Sequence, residues 1–222
     1  MGPHPHAPGE PRIPLVINAA SSAVGSYAIK LAKLNTRISP IIATAGASSE
    51  HVRPLGADAV VDYKSPTVSD DTRAAAGGKP INHIFDAANS LTSVKYLAAV
   101  IQPNTGRYTS TLPVSANPFY DPEGAMQKVL DGVGGVWYEQ IWCADVHDGK
   151  KAGGTIFGAL MSKVFEQMLV DGKLIGQPYE VVPGGLNGVK GALEKLRDRK
   201  RGGNAKFVTR IADTVSLKGH NS

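Results

Sequence analysis

Nineteen residues near the start, Leu15 to Lys33 (LVINAASSAVGSYAIKLAK), constrain the rest of the chain more than any other stretch. Leu15, Val16 and Ile17 predict a short buried strand, and Val24, Ala28, Leu31 and Ala32 recur on one face of a helix behind it. Between them lies a turn built from very small residues: Ala20, Ser21, Ser22, Ala23 and Gly25. A strand that passes through so small a turn into a helix lets another chemical group approach the first helical turn, where unpaired amides and the helix dipole attract an anion. This outlines a phosphate site. Against the spacing G-x-G-x-x-G, Ala20 and Ser22 occupy the first two glycine places and Gly25 alone remains; a purely structural strand-to-helix turn reads much the same.

The segments that follow narrow the reading. Ser39 to Ala45 predicts a second buried strand, Ser48 to Leu55 a short helix opening on a serine pair suited to capping, and Ala59 to Tyr63 a third strand after the Gly56-Ala57-Asp58 turn. Strand, helix, strand, helix, strand is the unit of an α/β fold of the Rossmann type, a doubly wound parallel sheet with helices on both faces. Further on, a surface helix is expected around Asp70 to Ala76, a fourth strand over Ile81 to Ala88, a helix over Leu91 to Ile101 and a fifth strand over Arg107 to Thr111. Asp86, inside the fourth strand, reads as a buried carboxylate bonded to backbone amides rather than as a catalytic group.

Pro113 to Gly154 gives no clear period and carries seven glycines from Gly124 onward. Tyr120, Tyr138, Cys143, Asp145 and His147 are chemically capable but have no partner visible in the sequence, and Trp137 and Trp142 are expected to form an aromatic cluster over the sheet edge. From Thr155 a helical stripe returns (Phe157, Leu160, Met161, Val164, Phe165, Met168, Leu169) and stops at Gly172. Tyr179 to Val182 and Lys206 to Ile211 read as strands flanking a helix over Leu186 to Lys195, with Leu186, Val189, Leu193 and Leu196 on one side. The expected organisation is a proline-rich leader (1–13), a Rossmann domain (14–154), a helix-strand-helix-strand segment packed on it (155–214) and a tail (215–222).

Composition excludes several classes. One cysteine, Cys143, leaves no disulfide framework and no cysteine-rich metal lobe, so a reducing, cytoplasmic setting is expected. No apolar run is long enough to span a bilayer. His4 and His6, in a leader with five prolines within its first 14 residues, have no third ligand nearby, and no metal is expected. Lys190 to Arg210 holds eight basic and two acidic residues, but it lacks interleaved aromatics and any reader motif; it reads as a solvated basic face, not a nucleic-acid site.

The segments AASSAVG (19–25), AIKLAKL (28–34), IIATAG (41–46), LGADAVVDYK (55–64), IFDAANS (84–90), DGKLIG (171–176), PGGLNGV (183–189) and AKFVTRIADT (205–214) together resemble the medium-chain dehydrogenase/reductases, in the non-zinc quinone-reductase and fungal trans-acting enoyl-reductase branch. The resemblance implies a dinucleotide over Ala20, Ser21, Ser22, Ala23 and Val24, with the nicotinamide toward Ala88 and Ser110. It makes Tyr63 the tyrosine that borders the adenosine phosphate. It also implies a GroES-like catalytic domain before the cofactor strand, where this sequence has a short leader, so no catalytic acid carries over. Thr44 to Ser49 offers hydroxyls at Thr44, Ser48 and Ser49 and no carboxylate, and Arg53 adds a cation, which favours NADPH over NADH. Three functions stay open: a reductase of enone or polyketide-type intermediates in secondary metabolism, a redox-silent isomerase or cyclase using the vacated crevice, and a non-catalytic homologue. A small-molecule substrate is expected, with a homodimer or a partner protein supplying the missing domain.

Overall fold

A computed structural model describes residues 11–46, 49–147, 152–198 and 206–215. Residues 1–10 of the expected leader (1–13), the Ser48 half of the serine pair, and residues 216–222 of the expected tail (215–222) lie outside the described residues. The chain divides into two compact units, Met1–Leu174 and Ile175–Ser222.

In the first unit six strands alternate with helices: β1 (Ile13–Asn18), α1 (Ala23–Lys33), β2 (Ile38–Ala45), α2 (Ser49–Val52), β3 (Ala59–Asp62), α3 (Val68–Ala75), β4 (His83–Asp86), α4 (Leu91–Ala98), β5 (Arg107–Ser110), α5 (Ala125–Asp131), β6 (Trp137–Gln140) and α6 (Gly154–Val170). The sheet runs β3-β2-β1-β4-β5-β6, and every neighbouring pair is parallel. Successive residues of β1 point to opposite faces. Val16 joins a core with Val94, Leu97, Tyr108 and Leu130 on one side, while Ile17 joins Ile29, Ile41 and Val52 on the other. Both faces are therefore covered, and a strand buried on both faces is mostly apolar, as Val16-Ile17 and Ile41-Ile42-Ala43 are; the polar Asn18 and Thr44 are bonded within the interior. The order reverses between β1 and β4, so the crevice beyond their carboxyl ends is a topological switch point.

Three local expectations need correction. The residues of α1 turned onto the sheet are Gly25, Ser26, Ile29 and Ala32; Val24, Ala28 and Leu31 lie one step round the helix and line an apolar cavity instead. Periodicity could not separate the two because α1 is apolar on both faces. The tryptophans do not cap the sheet edge. Trp137 opens β6, which is the edge strand itself, its indole against the Arg107 guanidinium of the neighbouring strand, and Trp142 is exposed beyond it. Sequence reading missed β6 because its four residues (WYEQ) are too few and too polar to show a buried-strand pattern. Finally, no residue of α6 is buried. The short helical turn Cys143–Val146 packs beside it, with Val146 against Gly158, while Ile156, Phe157, Leu160 and Val170 remain exposed. The stripe is therefore real as a helical period but only partly covered: Met161, Val164, Phe165 and Met168 are half-buried, whereas Phe157, Leu160 and Leu169 are exposed.

In the second unit β7 (Tyr179–Val182) pairs in parallel with β8 (Lys206–Thr209), joined through α7 (Val189–Asp198). Leu186, Val189, Leu193 and Leu196 are all exposed, and Ala192 is the buried residue of α7, contrary to the expected apolar side. A two-stranded sheet with one helix has too little surface to bury a full stripe.

Candidate functional site

The carboxyl edge of the sheet gathers most of the residues singled out in the sequence, because parallel strands bring all their following turns to one side. After β1 the chain turns at Ala19, in the left-handed region (φ 53°), and enters α1 at Ala23. The position that needs left-handed freedom is thus Ala19, one residue before the place assigned from the glycine spacing. An alanine there costs roughly 1 kcal/mol. Ser22 caps α1, its hydroxyl accepting from the Gly25 amide at 3.0 Å, and the Ser26 hydroxyl donates to the Ala20 carbonyl at 3.1 Å. A Cβ on Gly25 would stand 2.8 Å from the Ala20 Cα, so strand and helix meet closely enough to require glycine. Ala23 and Val24 are exposed at the helix start, and Ser21 and Ser22 are partly so.

Ala20 is itself fully buried and presents nothing to a ligand; its amide bonds the Thr44 carbonyl. Thr44 is also turned inward. Its hydroxyl donates to Asn18 Oδ1 at 2.5 Å and lies 3.3 Å from the Tyr96 hydroxyl, so it offers no group to a 2′-phosphate. Thr44 faces inward from a strand covered on both sides, and Ala20 is buried in the turn where Gly25 of α1 closes on it. Ser110, at the end of β5, is buried as well and donates to the Leu112 carbonyl at 2.6 Å. Ser49 at the start of α2, Arg53, Tyr63 and Ala88 keep surface exposure. The Tyr63 ring lies over Gly46, since a Cβ there would sit 2.9 Å from its Cε1. Two neighbours carried no signal in the sequence: Lys64, whose ammonium stands 5.8 Å from the Tyr63 ring centre, and Asp62, the register partner of Ala45, whose carboxylate accepts from the Lys64 amide at 2.9 Å.

Beneath this edge lies a buried polar network centred on Asp86. Its Oδ1 accepts from Asn18 Nδ2 at 2.6 Å and from the Ala88 and Asn89 amides at 3.0 and 2.9 Å; its Oδ2 accepts from the Tyr108 hydroxyl at 2.6 Å and the Ser93 hydroxyl at 2.9 Å. Five donors to one fully buried carboxylate make it a structural anchor, as expected, and leave it no lone pair pointing at solvent. Asn89, in the left-handed region (φ 47°), donates to the Leu112 and Pro113 carbonyls at 3.1 and 2.9 Å and ties the turn after β4 to the turn after β5. Burial, and then the Asp86 charge, raise the Tyr108 phenol well above its ordinary value; burial chiefly raises Tyr96, and the neighbouring Thr44 hydroxyl opposes that rise.

These shifts have a sign that can be measured. A phenol whose folded pKa lies above its unfolded value of about 10 contributes stability fully present below that pH and lost as pH rises through it. Stability is expected to fall by about 1.4 kcal/mol per pH unit for each of the two tyrosines above about pH 10. Denaturant midpoints followed on the alkaline side check this, and Tyr108→Phe should flatten the slope by about half.

Among the described residues no group of three or more His, Cys, Asp or Glu could hold a metal, and no helix is long and apolar enough to cross a membrane.

The fold and this edge define a doubly wound α/β domain of the Rossmann type. No family model matches the chain. Trans-enoyl reductase fsr4 of Gibberella fujikuroi is 34% identical over 194 residues, covering 84% of this chain and 52% of the relative. Trans-enoyl reductase FSL5 of Gibberella zeae is 26% identical over 207 residues, covering 90% and 55%. Among solved structures, the CurK enoyl reductase matches with a TM-score of 0.66 at 20% identity (90% of this chain, 56% of that one), and CurA of Vibrio vulnificus in complex with NADPH with 0.62 at 20% identity (90% and 57%). In sequence the chain resembles the fungal trans-enoyl reductases. It spans about half the length of the curated relatives it matches.

Proposed function

We propose that the chain binds NADP(H) along the carboxyl edge of its sheet and serves the reduction of an enone or polyketide-type intermediate in secondary metabolism. The observation that carries this reading is the turn at Ala19 to Gly25: a capped helix start, exposed at Ala23 and Val24 and pressed against the Ala19-Ala20 backbone through a glycine, so that a pyrophosphate has both an approach and a partial positive charge to meet. When bound, the nicotinamide would supply the hydride. The chain's own part is to bind and orient. Ser22 and the first turn of α1 would hold the pyrophosphate, Ser49, Arg53, Tyr63 and Lys64 would surround the adenosine end, and Ala88 would offer a smooth floor on the turn anchored by Asp86. The names of the relatives, trans-enoyl reductases, support reduction over isomerisation or cyclisation. The phenols of Tyr96 and Tyr108 are committed to the buried network and are not proton donors to a substrate.

Calorimetry with NADPH and NADH tests the reading. NADPH should bind at least about tenfold more tightly, a difference of about 1.4 kcal/mol; equal or reversed affinities would sink the preference, and no binding of either would sink the cofactor assignment. Ala23→Phe keeps the Ser22 cap and puts a ring where the pyrophosphate would lie, so it should abolish binding at unchanged melting temperature.

The exposed edge of the α6 stripe, Phe157, Leu160 and Leu169, supports a further part of the proposal: a second copy or a partner segment covers it. Leu160 is 60% exposed. Leu160→Glu should leave stability within about 0.5 kcal/mol while lowering the mass seen by light scattering. A monomer before and after the change would remove the stripe from any interface between copies.

A further inference from the structure

Asn18 ends β1 in register with Asp86 of β4, at the switch point where the sheet order reverses, and its side chain is buried at 4% exposure. The two ends of its amide face different halves of the sheet. Its Oδ1 accepts from the hydroxyls of Thr44, in β2, and Tyr96, in α4, while its Nδ2 donates to Asp86 Oδ1 at 2.6 Å. A carboxylate only accepts, so the amide fits in one orientation. Thr44 in turn receives the Ala20 amide of the turn before α1 on its carbonyl, at 3.1 Å, and stands two residues before Gly46, over which the Tyr63 ring lies. On the other side, the Asp86 oxygen that Asn18 holds is the one that accepts the Ala88 and Asn89 amides, and the Ala87 amide bonds the Asn18 carbonyl at 3.3 Å. One buried amide thus joins the turn before α1 and the end of β2 to the turn after β4.

We infer that Asn18 is a positioning residue for the dinucleotide, a role that rests on the NADP(H) reading: it holds the phosphate turn and the adenosine edge in fixed register with the Ala88–Asn89 turn, so that the two ends of the cofactor bind as one ligand. Buried beneath the edge, Asn18 touches no ligand and acts through Thr44 and Asp86. Two subsites add their affinities only when their spacing matches that of the linked ligand. A fully satisfied polar junction fixes that spacing more closely than apolar packing, because its bonds are directional.

Calorimetry on the full chain with NADP+ and with adenosine 2′,5′-bisphosphate, which carries the adenosine end alone, is the test. Wild-type protein should bind NADP+ the more tightly. In Asn18→Leu the Thr44 and Tyr96 hydroxyls, 3.3 Å apart, can bond each other, and Asp86 keeps two amides and two hydroxyls. The half-ligand should then bind as it does to wild type, while the advantage of NADP+ over it falls by about tenfold. A merely structural role would weaken both ligands together and leave the ratio unchanged.

Asn18→Asp is the second variant. Its carboxyl would stand against Asp86, and two carboxyls so close share a proton. With that proton the new group donates to Asp86 and accepts from Thr44 and Tyr96, as the amide does; without it the two charges repel. The phenols of Tyr96 and Tyr108, raised by burial, stay protonated over the range used. The NADP+ advantage should match wild type at about pH 5.5 and shrink by about pH 8.5, and the ratio cancels the titration of the 2′-phosphate that both ligands carry. Should Asn18→Leu not fold, that fall against a flat wild-type ratio decides alone. No NADP+ advantage in wild type, a ratio unchanged in folded Asn18→Leu, or a ratio in Asn18→Asp that does not vary with pH would overturn the inference and leave the cofactor reading standing. Binding of neither ligand to the wild-type protein would overturn both.

Discussion

Asp86→Ala is expected to destabilise the protein by about 3–5 kcal/mol and to lower its melting temperature by about 10 °C. The side chain is fully buried and accepts five hydrogen bonds, so removing it strands Asn18 Nδ2, two backbone amides and the hydroxyls of Ser93 and Tyr108 in an apolar surrounding. Each buried donor left without a partner costs about 1–3 kcal/mol, and partial relaxation or water entry keeps the sum below the simple total. Asp86→Asn should fall between, since a carboxamide oxygen still accepts on one side and the two hydroxyls can turn to accept on the other. Thermal unfolding of the three proteins decides the matter. A loss under about 1 kcal/mol for the alanine variant would mean that the network is not what holds the turn after β4.

Gly25→Val should be as damaging by a different route. A Cβ at this position already meets the backbone of the turn after β1, with the Ala20 Cα at 2.8 Å, and the backbone cannot yield as a side-chain end can. The branched side chain must therefore push α1 away from the sheet, opening the packing of Ile29 and Ala32 against Ile17 and Ile41; overpacking of this kind costs about 3 kcal/mol. The Ser22 cap geometry would be lost with it, so dinucleotide binding should vanish even in protein that still folds. Calorimetry on the folded fraction and a melting curve separate the two effects, and binding retained at wild-type strength would show that the close approach of helix to strand has no part in the site.

The parallel sheet was legible because its strands are buried on both faces and therefore announce themselves as apolar runs, as at Val16 and Ile17 or Ile41 to Ala45. The edge strand was not, because Trp137 to Gln140 has to satisfy water on one side and carries the mixed polarity of a loop. Turn chemistry was readable by residue size but not by register: small residues from Ala19 to Gly25 mark the close turn, while which one adopts the left-handed conformation depends on where β1 ends. The same limit explains Thr44 and Ser110. Composition shows that a hydroxyl is present; the alternation of the strand decides whether it faces solvent or Asn18, and a one-residue step reverses the answer. Lys64 was invisible as a site residue because its position beside Tyr63 is a matter of rotamer and turn, not of spacing.

The clasp made by Asn89 fixes more than a hydrogen-bond count. By donating to both Leu112 and Pro113 from the turn after β4, it makes two loops that follow different strands a single mechanical piece. Two loops that must each be ordered by a ligand would set that ordering against its affinity; here the Asn89 hydrogen bonds supply the ordering from within the chain. Hydrogen exchange at residues 88 to 90 and 111 to 113 should accordingly slow together, rise together in Asn89→Ala, and change little when a ligand arrives at the carboxyl edge.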